Sequence, residues 1–355
     1  MERIRLIQVG LGFWGTSWAT EVLPTVPSVE VVARVDPDPA ARARIRERLG
    51  AAAGALFASL AEARRAVEAD AVLASLPTNH HVPVCREALE AGLHVLTEKP
   101  FAPSLSEAIG LVRLATERGL VLGVSQNYRY YPAARRAAAL VGQGVLGAPI
   151  SVAIDFRRDA VAEGHRYPDI PDPLLADMAI HHVDLLRFVL GREPVEVIAR
   201  SWNPPGSPFR DDASAAVLLV LEGGLVASWR GSWLSRGPAT PWAGDWVIEA
   251  EAGQIEWTCR GNAGARLSAD RLAIRRPGEP AEPVPLEPVP FPDRAGTIAA
   301  FAEAILAGEP PAGFPTGADN LASLATVAAA VRSAARGGAR VRIAELLEAA
   351  ADRPR

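Results

Sequence analysis

One lysine stands out among the residues of this chain that could take part in chemistry. Of 355 residues, 37 are Lys or Arg, and Lys99 is the only lysine among them. Its retention in a chain that otherwise uses arginine indicates a position that needs a compact ammonium rather than a planar guanidinium. An ammonium beside a reacting alcohol can donate a hydrogen bond to the oxygen and pass a proton. The alternative is an ordinary surface lysine.

A second group of residues, Asp177, His181 and Asp184, combines a histidine with two carboxylates. Their spacing places all three on one face of a helix predicted over about residues 174–190. A histidine between carboxylates suits general acid–base catalysis, although the carboxylates could instead bind substrate hydroxyls. His182 is turned about 100° away on that helix, and we expect it to be a buried or interface histidine. Without an HExxH motif or a third ligand set, no metal site is expected.

A glycine-rich motif lies near the N-terminus, where Gly10, Gly12 and Gly15 follow a predicted strand and open a helix. Gly10 permits a tight turn, Gly12 lets the backbone approach a pyrophosphate, and Gly15 allows the helix to pack closely on the strand. The helix N-terminus adds free N–H groups for the phosphates. In this context the motif predicts a dinucleotide-binding site, whereas a glycine turn without a ligand is the alternative.

The end of the next predicted strand carries Asp36, about 20 residues after the last glycine of the motif. A carboxylate there accepts hydrogen bonds from the adenosine ribose hydroxyls and repels a 2′-phosphate, so the sequence favours NAD as the cofactor. Arg34 and Arg42 flank Asp36 and leave NADP as the alternative. The loop Pro77–His81 follows another predicted strand, so it is expected at the same sheet edge and near the cofactor.

The order of predicted elements changes at about residue 125. Before that point strands alternate with helices, two of which open with the capping boxes Ser59–Glu62 and Ser104–Glu107. After it come longer strands with hairpin-like links. We therefore predict an α/β protein with an N-terminal Rossmann domain, a doubly wound parallel sheet, in residues 1–125. Residues 126–355 are predicted to form an α+β domain with a large, mostly antiparallel open sheet, whose C-terminal helices can pack back on the first domain.

The composition of the chain excludes several classes of protein. A net charge of −4, with 22% charged and 49% hydrophobic residues, excludes a disordered chain and offers no basic face for nucleic acid. No apolar run reaches the ~18 residues that span a bilayer, and no signal-peptide pattern precedes the first strand. Cys85 and Cys259 form no CxxC pair. We expect a soluble, cytoplasmic protein with no nucleic-acid or membrane partner.

Several motifs together make the chain resemble the Gfo/Idh/MocA family, which includes glucose–fructose oxidoreductase and inositol dehydrogenase. They are Gly10-Leu-Gly-Phe-Trp-Gly15, Pro77-Thr-Asn-His-His81, the run from Ala88 to Glu98-Lys99-Pro100, Asn127-Tyr-Arg129, Asp177-x-x-x-His181 and Glu249-Ala-Glu-Ala-Gly253. The resemblance implies an NAD(P)-dependent oxidoreductase that acts on sugars, polyols or related alcohols. It also implies a homodimer or homotetramer formed through the open sheet of the C-terminal domain.

The motifs and the resemblance assign roles to individual residues. The residues expected to be catalytic are Lys99, Asp177 and His181. The residues expected to bind the cofactor are Gly10, Gly12, Phe13, Trp14, Gly15, Asp36, Pro77, Asn79, His81, Glu98, Lys99 and Asn127. The residues expected to bind substrate are Arg129, Arg157, Asp177 and His181, although Arg157 and the adjacent Arg158 could equally be surface charges. One departure is Ala179, where the family usually has glycine.

These assignments give an expected mechanism and two alternatives. His181 removes the hydroxyl proton of the substrate while a hydride leaves for the nicotinamide, Lys99 donates a hydrogen bond to the same oxygen, and Asp177 orients the substrate or His181. One alternative is an NAD-dependent glycosidase that acts by transient oxidation. The other is a non-catalytic regulator that senses a sugar or a nucleotide.

Overall fold

The structure, a computed structural model, describes residues 2–164, 170–262 and 268–352. The chain divides into two compact units, the first formed by Met1–Asn127 with Pro290–Leu321 and the second by Tyr128–Val289 with Ala322–Arg355. The sequence-based limits, 1–125 and 126–355, place the first boundary within two residues of this division. They assign residues 290–321 to the second domain, with C-terminal helices that can pack back on the first, and in the structure this segment belongs to the first unit.

The first unit contains a parallel sheet of six strands in the order β3-β2-β1-β4-β5-β6. Its strands are β1 (Ile4–Val9), β2 (Val29–Val35), β3 (Ala55–Phe57), β4 (Ala71–Ala74), β5 (His94–Thr97) and β6 (Leu122–Val124). This order confirms the predicted doubly wound Rossmann sheet, in which ligands bind outside the carboxyl ends of the strands. The loops after β1, β4 and β5 therefore form one continuous edge, because these strands are neighbours.

Five helices connect these strands: α1 (Phe13–Ser17), α2 (Pro39–Leu49), α3 (Leu60–Ala66), α4 (His81–Glu90) and α5 (Leu105–Glu117). Helix α1 continues as a π-helix over Trp18–Val22. The serine caps of both predicted capping boxes are present, since the hydroxyls of Ser59 and Ser104 accept the backbone N–H groups of Glu62 and Glu107. The Glu62 carboxylate instead accepts the Ala58 N–H, and the Glu107 carboxylate accepts the Ser104 hydroxyl. These caps satisfy N–H groups that a helix start otherwise leaves without partners.

The second unit begins with α6 (Pro132–Gly142) and contains a sheet of nine strands. The order is β14-β13-β12-β11-β7-β10-β9-β8-β15, in which only the β7–β10 pair is parallel. The strands are β7 (Pro149–Arg157), β8 (Pro194–Trp202), β9 (Ser214–Leu221), β10 (Val226–Ser232), β11 (Asp245–Ala250), β12 (Gly253–Thr258), β13 (Arg271–Arg275), β14 (Glu282–Pro283) and β15 (Val341–Arg342). The predicted antiparallel character is confirmed, whereas β11 to β14 were not assigned from the sequence.

Helix α7 (Ala179–Leu190) packs on the inner face of this sheet and begins later than expected. Sequence periodicity predicts a helix from about residue 174, but Leu174–Met178 form successive turns, and the Ala179 N–H donates to the Leu174 carbonyl. Asp177 therefore lies in the turn before the helix, and the prediction that it shares a helical face with His181 and Asp184 is wrong. The helix ends at Leu190, and the following Gly191 has a φ of +60°, which suits glycine.

The C-terminal part of the chain contributes to both units. Helix α8 (Arg294–Ala307) belongs to the first unit, and Pro315 and Thr316 extend the first sheet beyond β6 by backbone hydrogen bonding. Helix α9 (Gly317–Ala335) contains the second unit boundary, and from Ala322 onwards it packs with α7 on the inner face of the nine-stranded sheet. Strand β15 and helix α10 (Ile343–Ala351) complete the second unit. None of the described helices is both long and apolar enough to span a membrane.

Candidate active site

The glycine-rich loop after β1 has the geometry that a phosphate-binding turn requires. Gly10 has a φ of +94°, and a Cβ there would lie 2.4 Å from the Ser75 carbonyl oxygen. A Cβ on Gly15 would lie 2.0 Å from the Gly10 carbonyl oxygen, whereas one on Gly12 would meet no atom within 4 Å. Gly10 and Gly15 are thus needed for the chain to pack, and Gly12 leaves open space at the start of α1. This loop fits a dinucleotide, whose phosphates approach the backbone at such a position.

Asp36 is fixed at the carboxyl end of β2 beside this loop. Its Oδ2 accepts the Leu11 N–H at 2.7 Å, and its Oδ1 accepts the Asp38 N–H at 2.9 Å. A carboxylate has about four acceptor positions, so capacity remains for ribose hydroxyls. The side chain is therefore held close to the glycine-rich loop with its negative charge available to a ligand.

The two arginines that flank Asp36 differ in their surroundings. Arg34 is buried and donates to the carbonyls of Ala52 and Ala53, and burial lowers its pKa to about 10. Arg42 donates to the carbonyl oxygen of Asp36 at 2.5 Å. Arg34 therefore stabilises the segment before β3. Arg42 instead contacts Asp36, through the backbone carbonyl of that residue.

Glu98, the residue before Lys99, connects the turn after β5 with the helix that follows the glycine-rich loop. Its Oε1 accepts the indole N–H groups of Trp14 at 2.8 Å and Trp18 at 2.7 Å. Glu98 is buried and Lys99 is half-buried. Because the carboxylate is fixed by two donors, the backbone at Lys99 is anchored to the cofactor loop.

Sequence reasoning missed two residues of this group, Trp18 and Arg294. The guanidinium of Arg294, in α8, lies 4.3 Å from the ring centre of Trp14 and 5.2 Å from that of Trp18. It also donates to Ser17 Oγ at 2.8 Å. No local signal could have identified Arg294, since 277 positions along the chain separate it from Ser17. Its 1% exposure shows that a buried cation supports this loop.

His81 and Asn127 contact protein groups in the first unit. The His81 nitrogens lie 2.9 Å from the Pro100 carbonyl oxygen and 2.8 Å from that of Leu76, so the imidazole joins the loops after β4 and β5. Burial lowers the pKa of His81, and a neutral imidazole donates to one of these carbonyls at a time. The buried Asn127 amide donates to Asp293. Cofactor contact by these two residues stays a prediction.

The remaining residues expected at the cofactor lie on the surface of the first unit. Pro77 and Asn79 are exposed in the loop after β4, which continues as a 3-10 turn over Thr78–His80. Phe13 is 89% exposed and stacks on Trp14, with ring centres 6.5 Å apart. All three side chains therefore remain accessible to a ligand in this unit, at the edge where the glycine-rich loop lies.

In the second unit, His181 lies in the first turn of α7 and stacks on an aromatic ring. The imidazole and the Tyr128 ring are 4.2 Å apart between centres, with only 3° between their planes. His181 is 7% exposed and Asp177 is half-buried in the preceding turn. Ala179, the first residue of the helix, is buried. The structure thus brings His181 and Asp177 to the same end of α7, although not by helical spacing.

Arg129 and Asp184 form a buried ion pair beneath this site. The guanidinium donates from Nε at 2.7 Å and from Nη2 at 2.6 Å, one bond to each carboxylate oxygen. Such bidentate geometry is what arginine offers to a carboxylate, and it accounts for the burial of both groups. Asp184 therefore supports the helix rather than flanking His181, and substrate contact by Arg129 stays a prediction.

His182 has the environment of a core residue, as predicted. Its Nδ1 accepts the Trp229 indole N–H at 3.1 Å, so its Nε2–H donates to the Trp242 carbonyl at 3.0 Å. Burial lowers its pKa to about 4. His182 is thus a neutral, fully hydrogen-bonded histidine with one defined tautomer.

The two arginines at the end of β7 are both in ion pairs. Arg157 contacts Asp155 at 3.1 Å and Asp245 at 3.2 Å and is partly exposed. Arg158 is buried, pairs with Glu163 at 2.7 Å and lies 4.1 Å from the ring centre of Trp242. Substrate binding by Arg157 stays a prediction.

Two further observations concern metals and thiols in the part of the chain that the structure describes. There, no group of three or more His, Cys, Asp or Glu side chains is arranged to bind a metal ion. Cys85 and Cys259, both within the described residues, are buried and are not joined by a disulfide.

The chain matches known families and proteins over most of its length. Residues 4–126 match the Gfo/Idh/MocA oxidoreductase family model with an NAD-binding Rossmann fold, and residues 134–256 match the Gfo/Idh/MocA C-terminal domain. The 1,5-anhydro-D-fructose reductase of Ensifer adhaerens is 28% identical over 77% of this chain and 79% of its own length. The dTDP-3,4-didehydro-2,6-dideoxy-alpha-D-glucose 3-reductase of Streptomyces violaceoruber is 28% identical over 94% of each chain.

A solved structure supports the same assignment at the level of the fold. An oxidoreductase from Agrobacterium radiobacter, in complex with NAD+, L-tartaric acid and magnesium, has a TM-score of 0.84 and 21% identity, covering 97% of this chain and 99% of that one. Since the two family models together span more than half of the sequence, and the glycine-rich loop has the geometry that the first model implies, this chain belongs to the Gfo/Idh/MocA family of oxidoreductases and its first unit is an NAD-binding Rossmann domain.

Proposed function

We propose that this protein catalyses reversible hydride transfer between NAD and a secondary alcohol of a sugar or polyol. The observation that carries the proposal is the hydrogen bond from Trp14, in the glycine-rich motif, to Glu98, the residue before Lys99. It supports a role for the single lysine of the chain at the cofactor edge. The relatives named as sugar reductases support the substrate class.

Three side chains of this protein take part in the proton transfer of this reaction. Bound NAD+ supplies the hydride acceptor. His181 accepts the proton of the substrate hydroxyl, and its stacking on Tyr128 orients the ring for that transfer. Lys99 donates a hydrogen bond to the same oxygen and stabilises the negative charge that develops there. Asp177 orients the substrate or His181.

Asp36 supports NAD rather than NADP as the preferred cofactor. The carboxylate is fixed by two backbone N–H groups and cannot turn away from a ligand without losing them. A 2′-phosphate placed there would meet a fixed negative charge, whereas ribose hydroxyls would meet an acceptor. The positive charge of Arg42 could offset part of this repulsion. We therefore expect a preference for NAD rather than an exclusion of NADP.

A substrate screen tests the proposed function. The purified protein is mixed with polyols and aldoses in the presence of NAD or NADP, and the nicotinamide absorbance is followed. We expect NADH to accumulate with at least one of these compounds, and faster than NADPH. Release of free sugar from a glycoside without net NADH would indicate the glycosidase instead. Tight NAD binding without any turnover would indicate the regulator.

We also propose that the protein forms a homo-oligomer through the outer face of its nine-stranded sheet. One row of side chains crosses five strands of that face and is apolar or small: Ile198, Leu218, Ser228, Ala153 and Val247. The next row carries both signs of charge, with Arg200, Arg230, Asp155 and Asp245. A second copy related by a two-fold axis fits such a face, because charges of both signs can then pair across the axis.

A further inference from the structure

We propose that Tyr128 and Arg260 are positioning residues for His181, which fix the plane of its imidazole and set the charge around it. The inference rests on the proposed function of His181 as the general base. It extends that function to two residues outside the acid–base group predicted from the sequence. All three residues belong to the second unit.

The contacts form a continuous chain from the imidazole to the guanidinium. The His181 ring stacks on Tyr128 with 3° between the planes, which leaves the imidazole little freedom to rotate about its second side-chain torsion. The Tyr128 hydroxyl accepts a hydrogen bond from Arg260 Nη1 at 2.6 Å, and the Arg260 Cζ lies 4.6 Å from the centre of the Tyr128 ring. Tyr128 thus touches His181 and Arg260 with the same ring.

The backbone of Arg260 is in a conformation that non-glycine residues rarely adopt. Its φ is +61°, in the left-handed region. Two bonds maintain it, since the Arg260 N–H donates to Asp270 Oδ1 at 3.1 Å and its carbonyl accepts the Trp242 N–H at 2.9 Å. Unfavourable backbone geometry of this kind persists where the surroundings enforce it, often at functional sites. Here it directs the guanidinium to the Tyr128 hydroxyl.

The position of Arg260 also affects the charge state of His181. The His181 ring centre lies 4.2 Å and Arg260 Cζ lies 4.6 Å from the Tyr128 ring centre. Arg260 Cζ is therefore within about 9 Å of the His181 ring centre. In the part of the chain that the structure describes, the charged groups close to these three residues include Asp177, in the turn before α7, and Asp184, whose carboxylate is paired with Arg129. They also include Asp270, which accepts the Arg260 N–H. A cation at that distance disfavours the imidazolium, and so favours the neutral imidazole that a general base requires.

Nuclear magnetic resonance of the full chain tests the inference without a substrate. The protein has six histidines, and the His181 signal is identified by its absence from the spectrum of His181→Gln. We expect Arg260→Met to raise the titration midpoint of His181 by about half a pH unit. Tyr128→Leu should remove the ring-current shift of the His181 ring protons. Arg275→Met is the matched control, because Arg275 lies on β13 and pairs with Glu256.

Kinetics with a substrate from the screen provide the second readout. Tyr128→Leu is expected to lower kcat about tenfold or more with the NAD dissociation constant unchanged, because a misplaced base slows the chemical step. Arg260→Lys, which keeps a cation and a donor, should recover part of the activity lost in Arg260→Met. Unchanged His181 signals and unchanged kcat in both Tyr128→Leu and Arg260→Met would overturn the inference. Full hydride transfer by His181→Gln would instead overturn the proposed function, and the resonance data would still decide on Tyr128 and Arg260.

Discussion

Two adjacent histidines show how the surroundings of a residue decide its chemistry. His181 and His182 differ by one position on α7, but His181 faces Tyr128 at the end of the helix and His182 points into the core. The sequence alone distinguishes them by helical phase, and that distinction is confirmed for His182. Its two hydrogen bonds, to Trp229 and to the Trp242 carbonyl, require the neutral form.

This requirement predicts a specific acid sensitivity. The pKa of His182 is about 4 in the folded chain, against 6.5 for an unperturbed histidine. The unfolded chain therefore binds a proton between these values and the folded chain does not, so the stabilisation is complete above pH 6.5 and is lost as the pH falls towards 4. We expect about 3 kcal/mol of unfolding free energy to be lost over this range.

Urea unfolding of wild type and His182→Gln across this pH range measures the effect. Glutamine can accept from Trp229 and donate to the Trp242 carbonyl, but it does not titrate. Asp270, whose pKa burial raises to about 6, titrates in both proteins and cancels from the difference. The free-energy difference between the two proteins should shrink as the pH falls, and parallel pH profiles would contradict the account.

Replacing Asp36 tests its role in the choice between NAD and NADP. Asp36→Ser should shift the ratio of NADP to NAD affinity at least tenfold towards NADP, because the fixed negative charge is removed while Arg42 remains. Calorimetric titration with each cofactor measures the ratio. Asp38→Ser is the matched control, since Asp38 caps α2 by accepting from Ala40 and Ala41. An unchanged preference in Asp36→Ser would remove Asp36 from cofactor selection.

Local sequence patterns predict the helices and strands of this fold better than they predict the contacts of the candidate active site. The glycine motif and the serine caps of two helices are local signals, and each is present in the structure. The first residue of α7, by contrast, is not determined by a local sequence signal. Leu174–Met178 have the apolar composition of a helix, yet they form turns, and periodicity cannot separate these two outcomes.

The parts of the site that escaped prediction depend on contacts between distant segments. Arg260 reaches Tyr128 across more than 130 residues, and Arg294 reaches Trp14 across an even longer stretch of chain. Neither arginine belongs to a motif, and an arginine-rich sequence offers no reason to choose these two. Only the topology of the sheets brings them to their partners.

Replacing either of two glycines in the strand–turn–helix element of the first unit should have different consequences. Gly15→Ala should lower the unfolding free energy by about 2 kcal/mol or more, because its Cβ would overlap the Gly10 carbonyl. Gly12→Ala should change stability by less than about 1 kcal/mol, because its Cβ meets only open space, but it should weaken NAD binding at least tenfold. Thermal unfolding and NAD titration separate the two, and equal effects on binding and stability in both variants would contradict the account.

At the scale of the whole molecule, the outer face of the nine-stranded sheet explains why side chains such as Leu218 are 48% exposed. If two copies pair through this face, Leu218→Glu should convert the oligomer to monomer, as measured by sedimentation. Leu306→Glu, at a 39% exposed leucine on α8 in the first unit, is the matched control and should leave the assembly intact. A wild-type monomer, or an intact Leu218→Glu oligomer, would exclude this interface.

If Lys99 serves hydride transfer by its compact ammonium, Lys99→Arg should impair the reaction and leave cofactor binding intact. The measurement is kcat with the substrate from the screen, together with the NAD dissociation constant of the same preparation. We expect unchanged NAD binding and a kcat lowered about a hundredfold or more, because a guanidinium keeps the charge but not the shape or the proton transfer. Wild-type turnover by Lys99→Arg would contradict this expectation.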